Sequence, residues 1–179
     1  CMIILLTGGS KNGKSYIAEK IVESTDYNYR YYIATMEPYC EEALVAINRH
    51  KTMRKQKGFV TIEKYTNIHE IELEKNSIVL LECICNLCAN EMFSDTINPI
   101  DKILNGINNL IEKTNTIIIV TNQVGDDGLN YEFLTSEYVK NMGIINNFIT
   151  EKSDCVIEVV YGIPFILKGE LPKCISLNQ

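Results

Sequence analysis

Short, continuously apolar runs recur along the chain and are separated by longer stretches of mixed polarity. The runs cover residues 2–6, 31–34, 78–81, 117–120 and 156–160. Because they do not alternate between apolar and polar residues, they indicate strands that are buried on both faces of a sheet. Several of the intervening stretches have apolar residues at helical spacing. The pattern therefore predicts an α/β fold with a mainly parallel sheet flanked by helices.

Two apolar stripes mark the clearest later helices, and we expect both to face the core. The first consists of Ile100, Ile103, Leu104, Ile107, Leu110 and Ile111, and the second of Leu134, Tyr138, Met142, Ile145 and Ile149. After the last strand, a turn at 162–164 and an apolar run at 165–168 predict a C-terminal edge hairpin. The sheet would then have about six or seven strands.

Composition narrows the class of protein. The chain has 179 residues, of which 46% are hydrophobic and 22% charged, as in one globular domain. We expect a single domain over 1–179, with a helical excursion around the charged segment 36–76. The net charge of −6 argues against a nucleic-acid partner. No apolar run approaches the roughly 18 residues that a membrane span requires, so we expect a cytoplasmic protein.

The cysteines favour no metal centre. Seven are present, an odd number, which is typical of reduced thiols when a secretory signal is lacking. Cys83, Cys85 and Cys88 lie close together, but no fourth ligand is near them in sequence. We interpret them as buried thiols rather than as zinc ligands.

The strongest local motif is a glycine-rich loop between the first strand and a helix. Its residues are Gly8, Gly9, Ser10, Lys11, Asn12, Gly13, Lys14 and Ser15, which fit the pattern G-x-x-x-x-G-K-[ST]. In such a P-loop the backbone N–H groups and the helix N-terminus bind phosphate, and Lys14 reaches the β and γ oxygens. Ser15 is placed to ligate Mg²⁺. The alternative is an incidental glycine-rich turn.

A carboxylate for the metal is expected at the end of a neighbouring strand. Glu82 follows the apolar run 78–81 and fits this position. Its alternative interpretation is a solvated charge at a strand end.

A basic group surrounds His50 in a predicted helix that starts near Glu41. A neutral imidazole is a good nucleophile toward phosphorus. Arg54 lies one turn further along the same side, and Lys51 is long enough to reach back. By itself this group is weak evidence, because a histidine among basic residues on a helix is more often a surface residue.

Together these motifs form an ordered set over nearly the whole chain. The set is TGGSKNGKS at 7–15, YIAT at 32–35, the pair His50-Lys51, LLEC at 80–83 with Asn90 beyond, VTNQVG at 120–125 and YGIP at 161–164. It resembles the adenosylcobinamide kinase / adenosylcobinamide-phosphate guanylyltransferase family of cobalamin biosynthesis. The resemblance implies a RecA-like P-loop fold, with Ala34, Thr35, Lys51, Arg54 and Glu82 near the nucleotide.

The resemblance implies two reactions. The first phosphorylates the aminopropanol hydroxyl of adenosylcobinamide from ATP or GTP. In the second, His50 attacks the α-phosphate of GTP, releases pyrophosphate and passes GMP to adenosylcobinamide phosphate, giving adenosyl-GDP-cobinamide. Mg²⁺, held by Ser15 and Glu82, would stabilise the leaving group with Lys14. The resemblance also implies a homo-oligomer, a trimer in which the segment around His50 reaches a neighbouring P-loop.

One departure bears on the kinase step. Family members have Glu where this chain has Gln123, whereas the P-loop and His50 match, so guanylyl transfer is favoured slightly over kinase activity.

Two other functions remain open on the sequence. One is a different P-loop small-molecule kinase in which His50 is a surface residue, and the other is a nucleotide-binding module without turnover.

Overall fold

One sheet occupies the centre of the molecule. The structure, a computed structural model, describes residues 1–38, 41–124, 133–173 and 175. Within these ranges the strands are β1 (Met2–Thr7), β2 (Tyr29–Ala34), β3 (Phe59–Glu63), β4 (Ser77–Leu81), β5 (Thr116–Val120), β6 (Cys155–Val160) and β7 (Ile163–Lys168). Their order across the sheet is β3-β2-β4-β5-β1-β6-β7. Every neighbouring pair is parallel except β6 and β7, which form the predicted antiparallel hairpin.

Helices cover both faces of the sheet. They are α1 (Lys14–Glu23), α2 (Glu41–Gln56), α3 (Ile84–Met92), α4 (Pro99–Lys113) and α5 (Phe133–Lys152), and a short 3₁₀ turn spans Ile68–Glu70. On one face, Ile3 and Leu5 of β1 join a core cluster with α3, α4 and α5. On the other, Ile4 and Leu6 pack with α1. Burial of both faces confirms the interpretation of the continuous apolar runs.

The predicted strands are all present, with ends that differ by one or two residues. The hairpin turn consists of Tyr161 and Gly162, because Ile163 already begins β7. From the two predicted stripes, Ile103, Ile107, Leu110, Met142, Ile145 and Ile149 are buried in the core. The side chain of Leu134 lies outside the described residues.

The segment 36–76 differs from its prediction in one respect. It contains α2, as expected of a helical excursion, but it also contains β3, which pairs with β2 along the edge of the sheet. Only Phe59 of β3 is buried, because an edge strand is covered incompletely. The strand therefore lacks the continuous apolar run by which the others are recognised. The single-domain organisation stays a prediction.

The topology brings several chain segments together at the carboxyl ends of the strands. The P-loop follows β1, Glu82 follows β4, and Asn122 comes shortly after β5. These strands are parallel, so their carboxyl ends share the edge at which open α/β sheets bind ligands. Among the described residues, no helix combines the length and apolarity needed to cross a membrane.

Candidate active site

A cavity of about 390 Å³ lies at this edge. The P-loop lines it with residues 10–15, and Glu82, Cys83, Asn86 and Asn122 line the side toward β4 and β5. The structure thus brings Glu82 to the P-loop, as the sequence predicted. Asn86, on α3, was not anticipated, since no local motif marks it.

The backbone of the P-loop requires glycine at its first position. Gly8 has φ +134°, and a Cβ there would lie 2.4 Å from the carbonyl oxygen of Val159 in β6. Neither the dihedral nor the space admits a side chain. Gly13 has φ +90° and its carbonyl accepts the first α1 hydrogen bond, from the Ile17 N–H. The loop is therefore shaped by its contact with β6 as well as by its own sequence.

Lys14 is held inside the loop. Its ammonium donates to the carbonyl oxygen of Gly8 at 3.0 Å and to that of Gly9, and only 6% of the residue is exposed. Burial lowers the pKa of Lys14, while Cys83 and Cys85 act in the opposite direction. The loop thus presents a charged group at the point where a P-loop binds the β and γ oxygens of a nucleotide.

Glu82 lies near Tyr32, a buried residue of β2. Burial, and next the charge of the Glu82 carboxylate, raise the pKa of Tyr32. The guanidinium of Arg54, from α2, lies on the face of the Tyr32 ring. The Glu82 carboxylate thus lies between this buried pair and the cavity that it lines.

Ala34 and Thr35 are not among the residues that line this cavity. Thr35 is fully buried, and its hydroxyl donates to the Cys83 carbonyl at 2.8 Å. The Asn90 amide donates to the carbonyls of Thr35, at 2.8 Å, and of Tyr65, at 3.0 Å. These bonds fix the loop that carries Glu82, and the predicted nucleotide contacts of Ala34 and Thr35 stay predictions.

His50 is absent from the residues that line the P-loop cavity. It is exposed on α2, which packs against β3, the outermost strand on one side of the sheet. Strands β2, β4 and β5 stand between β3 and β1, the strand that leads into the P-loop. With neighbouring strands about 4.8 Å apart, β3 and β1 are separated by roughly 19 Å. The structure of one chain therefore does not place His50 among the groups that line this cavity.

The basic residues near His50 have separate partners. Lys51 pairs with Glu63 of β3 at 3.2 Å. Arg54 is buried, whereas His50, which helical spacing places on the same side of α2, is exposed. Helical spacing placed them on one side, but the Tyr32 ring of β2 draws Arg54 inward. Contacts of Lys51 and Arg54 with a phosphate remain predictions.

Gln123 and the thiols complete the surroundings of the cavity. The Gln123 amide donates to the Glu158 carboxylate of β6 at 3.0 Å, while Gly125, at the end of the same motif, lies outside the described residues.

Cys85 is buried as expected, and a hydrogen bond from the Cys83 thiol lowers its pKa. Cys83 is only half-buried and faces the cavity, so it differs from the expected buried thiol.

Comparison with known families decides what kind of P-loop protein this is. The family model for cobinamide kinase / cobinamide phosphate guanyltransferase matches residues 4–167. The chain belongs to this family. The match spans the P-loop, His50, Glu82 and the β6–β7 turn, so it covers every segment on which the sequence resemblance rests.

Curated relatives agree with the family assignment. The chain is 27% identical over 184 residues to the bifunctional adenosylcobalamin biosynthesis protein CobU of Escherichia coli (strain K12), covering 93% of this chain and 100% of that protein. It is 26% identical over 170 residues to CobP of Pseudomonas aeruginosa, of the same description, covering 93% and 97%. The family enzyme thus matches along essentially its full length.

Solved structures confirm the fold. The flagellar accessory protein FlaH from Methanocaldococcus jannaschii superposes with a TM-score of 0.52 at 15% identity, covering 94% of this chain and 78% of FlaH. A DnaB-like replicative helicase gives a TM-score of 0.50 at 9% identity, covering 92% and 53%. At these identities the likeness concerns the α/β P-loop architecture alone.

Proposed function

We propose that the protein phosphorylates adenosylcobinamide and then transfers GMP from GTP to adenosylcobinamide phosphate, with His50 as the guanylylated nucleophile. The family match over residues 4–167 carries this proposal. The cavity supports it, because Lys14, Ser15 and Glu82 line one space at the end of the sheet. ATP or GTP would be the phosphate donor, and a cytoplasmic location stays an expectation.

The kinase step needs the P-loop and a divalent cation. Ser15 and Glu82 offer a hydroxyl and a carboxylate to the same cavity, and these oxygen donors fit Mg²⁺, which binds few protein ligands besides substrate phosphates. When bound, Mg²⁺ would neutralise charge on the β and γ oxygens. Lys14 and the loop N–H groups hold these oxygens in place. The corrinoid hydroxyl then attacks the γ-phosphorus, and the nucleoside diphosphate leaves.

Guanylyl transfer uses two displacements at one phosphorus atom. An imidazole nitrogen of His50 attacks the α-phosphorus of GTP, a P–N bond forms, and the bond to the bridging oxygen breaks as pyrophosphate leaves. A phosphate oxygen of adenosylcobinamide phosphate next attacks the same phosphorus, and the P–N bond breaks. Each displacement is easier than a direct transfer between two anions. Lys14 and the P-loop bind the pyrophosphate in the first displacement.

A second copy of the chain would supply His50. Within one chain His50 does not line the P-loop cavity, and this favours a homo-oligomer, a trimer on family resemblance, in which α2 of one copy meets the P-loop of the next. Apolar side chains exposed on α2 suit such a contact: Leu44, Val45 and Met53. Burying them against another subunit would contribute to association.

The first test uses Mg²⁺ and GTP labelled in the α-phosphate. The wild-type protein should retain label that acid releases and base does not. His50→Asn should lose this label and pyrophosphate release together, while GTP binding changes little because no P-loop group is altered. Label that persists in His50→Asn would place the nucleophile elsewhere.

A mixing experiment tests the source of His50. Neither Lys14→Ala nor His50→Asn should form the adduct alone. Mixed oligomers of the two contain sites that pair an intact P-loop with an intact histidine from another copy, so adduct should return. Absence of complementation in verified mixed oligomers would contradict transfer between subunits.

One observation favours a second candidate, a kinase without guanylyl transfer. The P-loop, Ser15 and Glu82 come together within a single chain, whereas His50 does not. A wild-type protein that phosphorylates cobinamide and never forms the adduct would establish this alternative.

A further inference from the structure

The proposed site fixes the direction of a bound nucleoside triphosphate. Glu82 and Asn122 line the cavity on the β4 and β5 side of β1. Ser15 and Glu82 would hold Mg²⁺ there, and a γ-phosphate bound with it would lie on that side. The α-phosphate, the ribose and the base then leave the loop on the opposite side, toward β6 and β7. This step rests on the proposed function.

The β6–β7 turn is fixed against the P-loop on that opposite side. The Gly162 N–H donates to the Asn12 carbonyl at 3.0 Å. A Cβ built on Gly13 would lie 3.4 Å from the Gly162 Cα, so the two backbones are in contact. In β6, two residues before Tyr161, the Val159 carbonyl lies against Gly8. The turn therefore keeps a constant position relative to the phosphate-binding loop.

Tyr161 begins this turn and projects into solvent. Its φ is +50°, a left-handed conformation that is uncommon for a residue other than glycine and especially for a bulky one. The residue is 89% exposed. Among the described residues, no aromatic or cationic group contacts its ring. Glycine or asparagine would form the same turn with less strain, so the ring brings no evident benefit to folding.

We propose that the Tyr161 ring stacks on the purine base of the nucleoside triphosphate bound at the P-loop. The turn holds the ring on the side where the base emerges, and a purine offers a flat face to an aromatic ring. Stacking tolerates either purine, so one contact serves both ATP and GTP. Tyr161 thereby distinguishes a nucleotide from a bare polyphosphate.

The test compares GTP with inorganic tripolyphosphate, which has the phosphates without the base. Tyr161→Asn removes the ring and keeps a residue that tolerates the left-handed conformation. Calorimetry with Mg²⁺, on proteins that all carry His50→Asn so that no adduct forms, should show the Kd for GTP raised about 10-fold by this change, in line with the loss of one stacked base, and the Kd for tripolyphosphate unchanged. Tyr161→Phe should restore GTP binding. Phe93→Ala, which removes another exposed aromatic side chain, is the matched control and should change neither Kd.

Three results would overturn the proposal. Equal weakening for both ligands would mean that the turn supports the loop and does not contact the base. Unchanged GTP binding would mean that the ring makes no contact. Selective weakening in Tyr16→Ala instead would move the base to α1, where the Tyr16 ring lies 5.5 Å from the Lys20 ammonium. None of these results depends on the His50 adduct, so failure of guanylyl transfer is detected separately.

Discussion

The guanidinium carbon of Arg54 lies 3.7 Å from the centroid of the Tyr32 ring. Arg54 belongs to α2, and Tyr32 is a buried β2 residue whose pKa is raised by burial and by the charge of the nearby Glu82 carboxylate. A helix on the edge of the sheet is thus connected to the cavity carboxylate through a single aromatic ring. Substitutions of Arg54 should therefore lower the free energy of unfolding more than they impair phosphate transfer.

Arg54→Ala should lower the free energy of unfolding by about 2 kcal/mol, because a desolvated cation–π contact and the packing of the side-chain stem are both lost. Arg54→Lys should recover only part of this loss, since an ammonium lacks the planar face that stacks on a ring. Urea unfolding measures both changes. An unchanged midpoint with impaired adduct formation would instead assign Arg54 to the α-phosphate.

Lys14→Ala should abolish both reactions, with kcat reduced by at least about 100-fold, because the phosphates lose the one charged donor at the β and γ positions. Stability is a separate effect that urea unfolding measures, because Lys14 is buried and its ammonium donates to the carbonyls of Gly8 and Gly9. Steady-state kinetics and GTP calorimetry report these effects. Lys20→Ala on the same helix is the control, and full activity in Lys14→Ala would exclude the P-loop as the active site.

Glu82→Gln should raise the Mg²⁺ concentration needed for half-maximal activity while the fold is preserved. The amide has nearly the shape of the carboxylate, but its oxygen is a weaker ligand for a hard cation. Titration of activity with Mg²⁺ is the measurement. A metal dependence identical to that of the wild type would return Glu82 to the role of a strand-end charge.

Lys57→Met should destabilise the protein at neutral pH and much less in acid. Lys57 lies 2.6 Å from Glu19 and 3.0 Å from Glu23, both on α1. Burial acts to raise the pKa of Glu23, but its hydrogen bonds and charge interactions with Lys57 and Lys20 outweigh burial and lower it. A carboxyl with a lowered pKa stabilises the fold above its ordinary value of 4.5, and this contribution is lost as pH falls through the folded pKa.

The expected cost at pH 7 is at most about 1 kcal/mol, because the three side chains remain partly exposed and water screens them. Urea midpoints at pH 7 and pH 3 for wild type and variant give the comparison. A difference that stays constant between the two pH values would show that Lys57 acts through packing and not through charge.

Local sequence predicted the strands whose two faces are both buried, and a turn followed by an apolar run predicted the exposed strand β7. It missed β3, which has neither signal. It also predicted the meeting of the P-loop with Glu82, because parallel strands end at one edge whatever their order. The order itself was not predictable. That Tyr161 lies beside the P-loop follows from the pairing of β6 with β1, which no local pattern encodes.

Side-chain direction in α2 shows the same limit. His50 and Arg54 are four residues apart, so helical geometry alone placed them together. Tyr32, 22 positions before Arg54 by the numbering, provides the contact that separates them. A residue that packs against a distant strand cannot be distinguished by spacing from one that faces solvent.

The central place of β1 has a consequence for how the protein is made. This first strand pairs with β5 and β6, which begin at Thr116 and Cys155. At the usual rate of translation, the apolar segment MIILLT stays unpaired for on the order of ten seconds, until these partner strands are synthesised. The nascent chain therefore carries an unpaired apolar segment until β5 has emerged, and the phosphate-binding loop gains its contact with β6 only after that strand is synthesised.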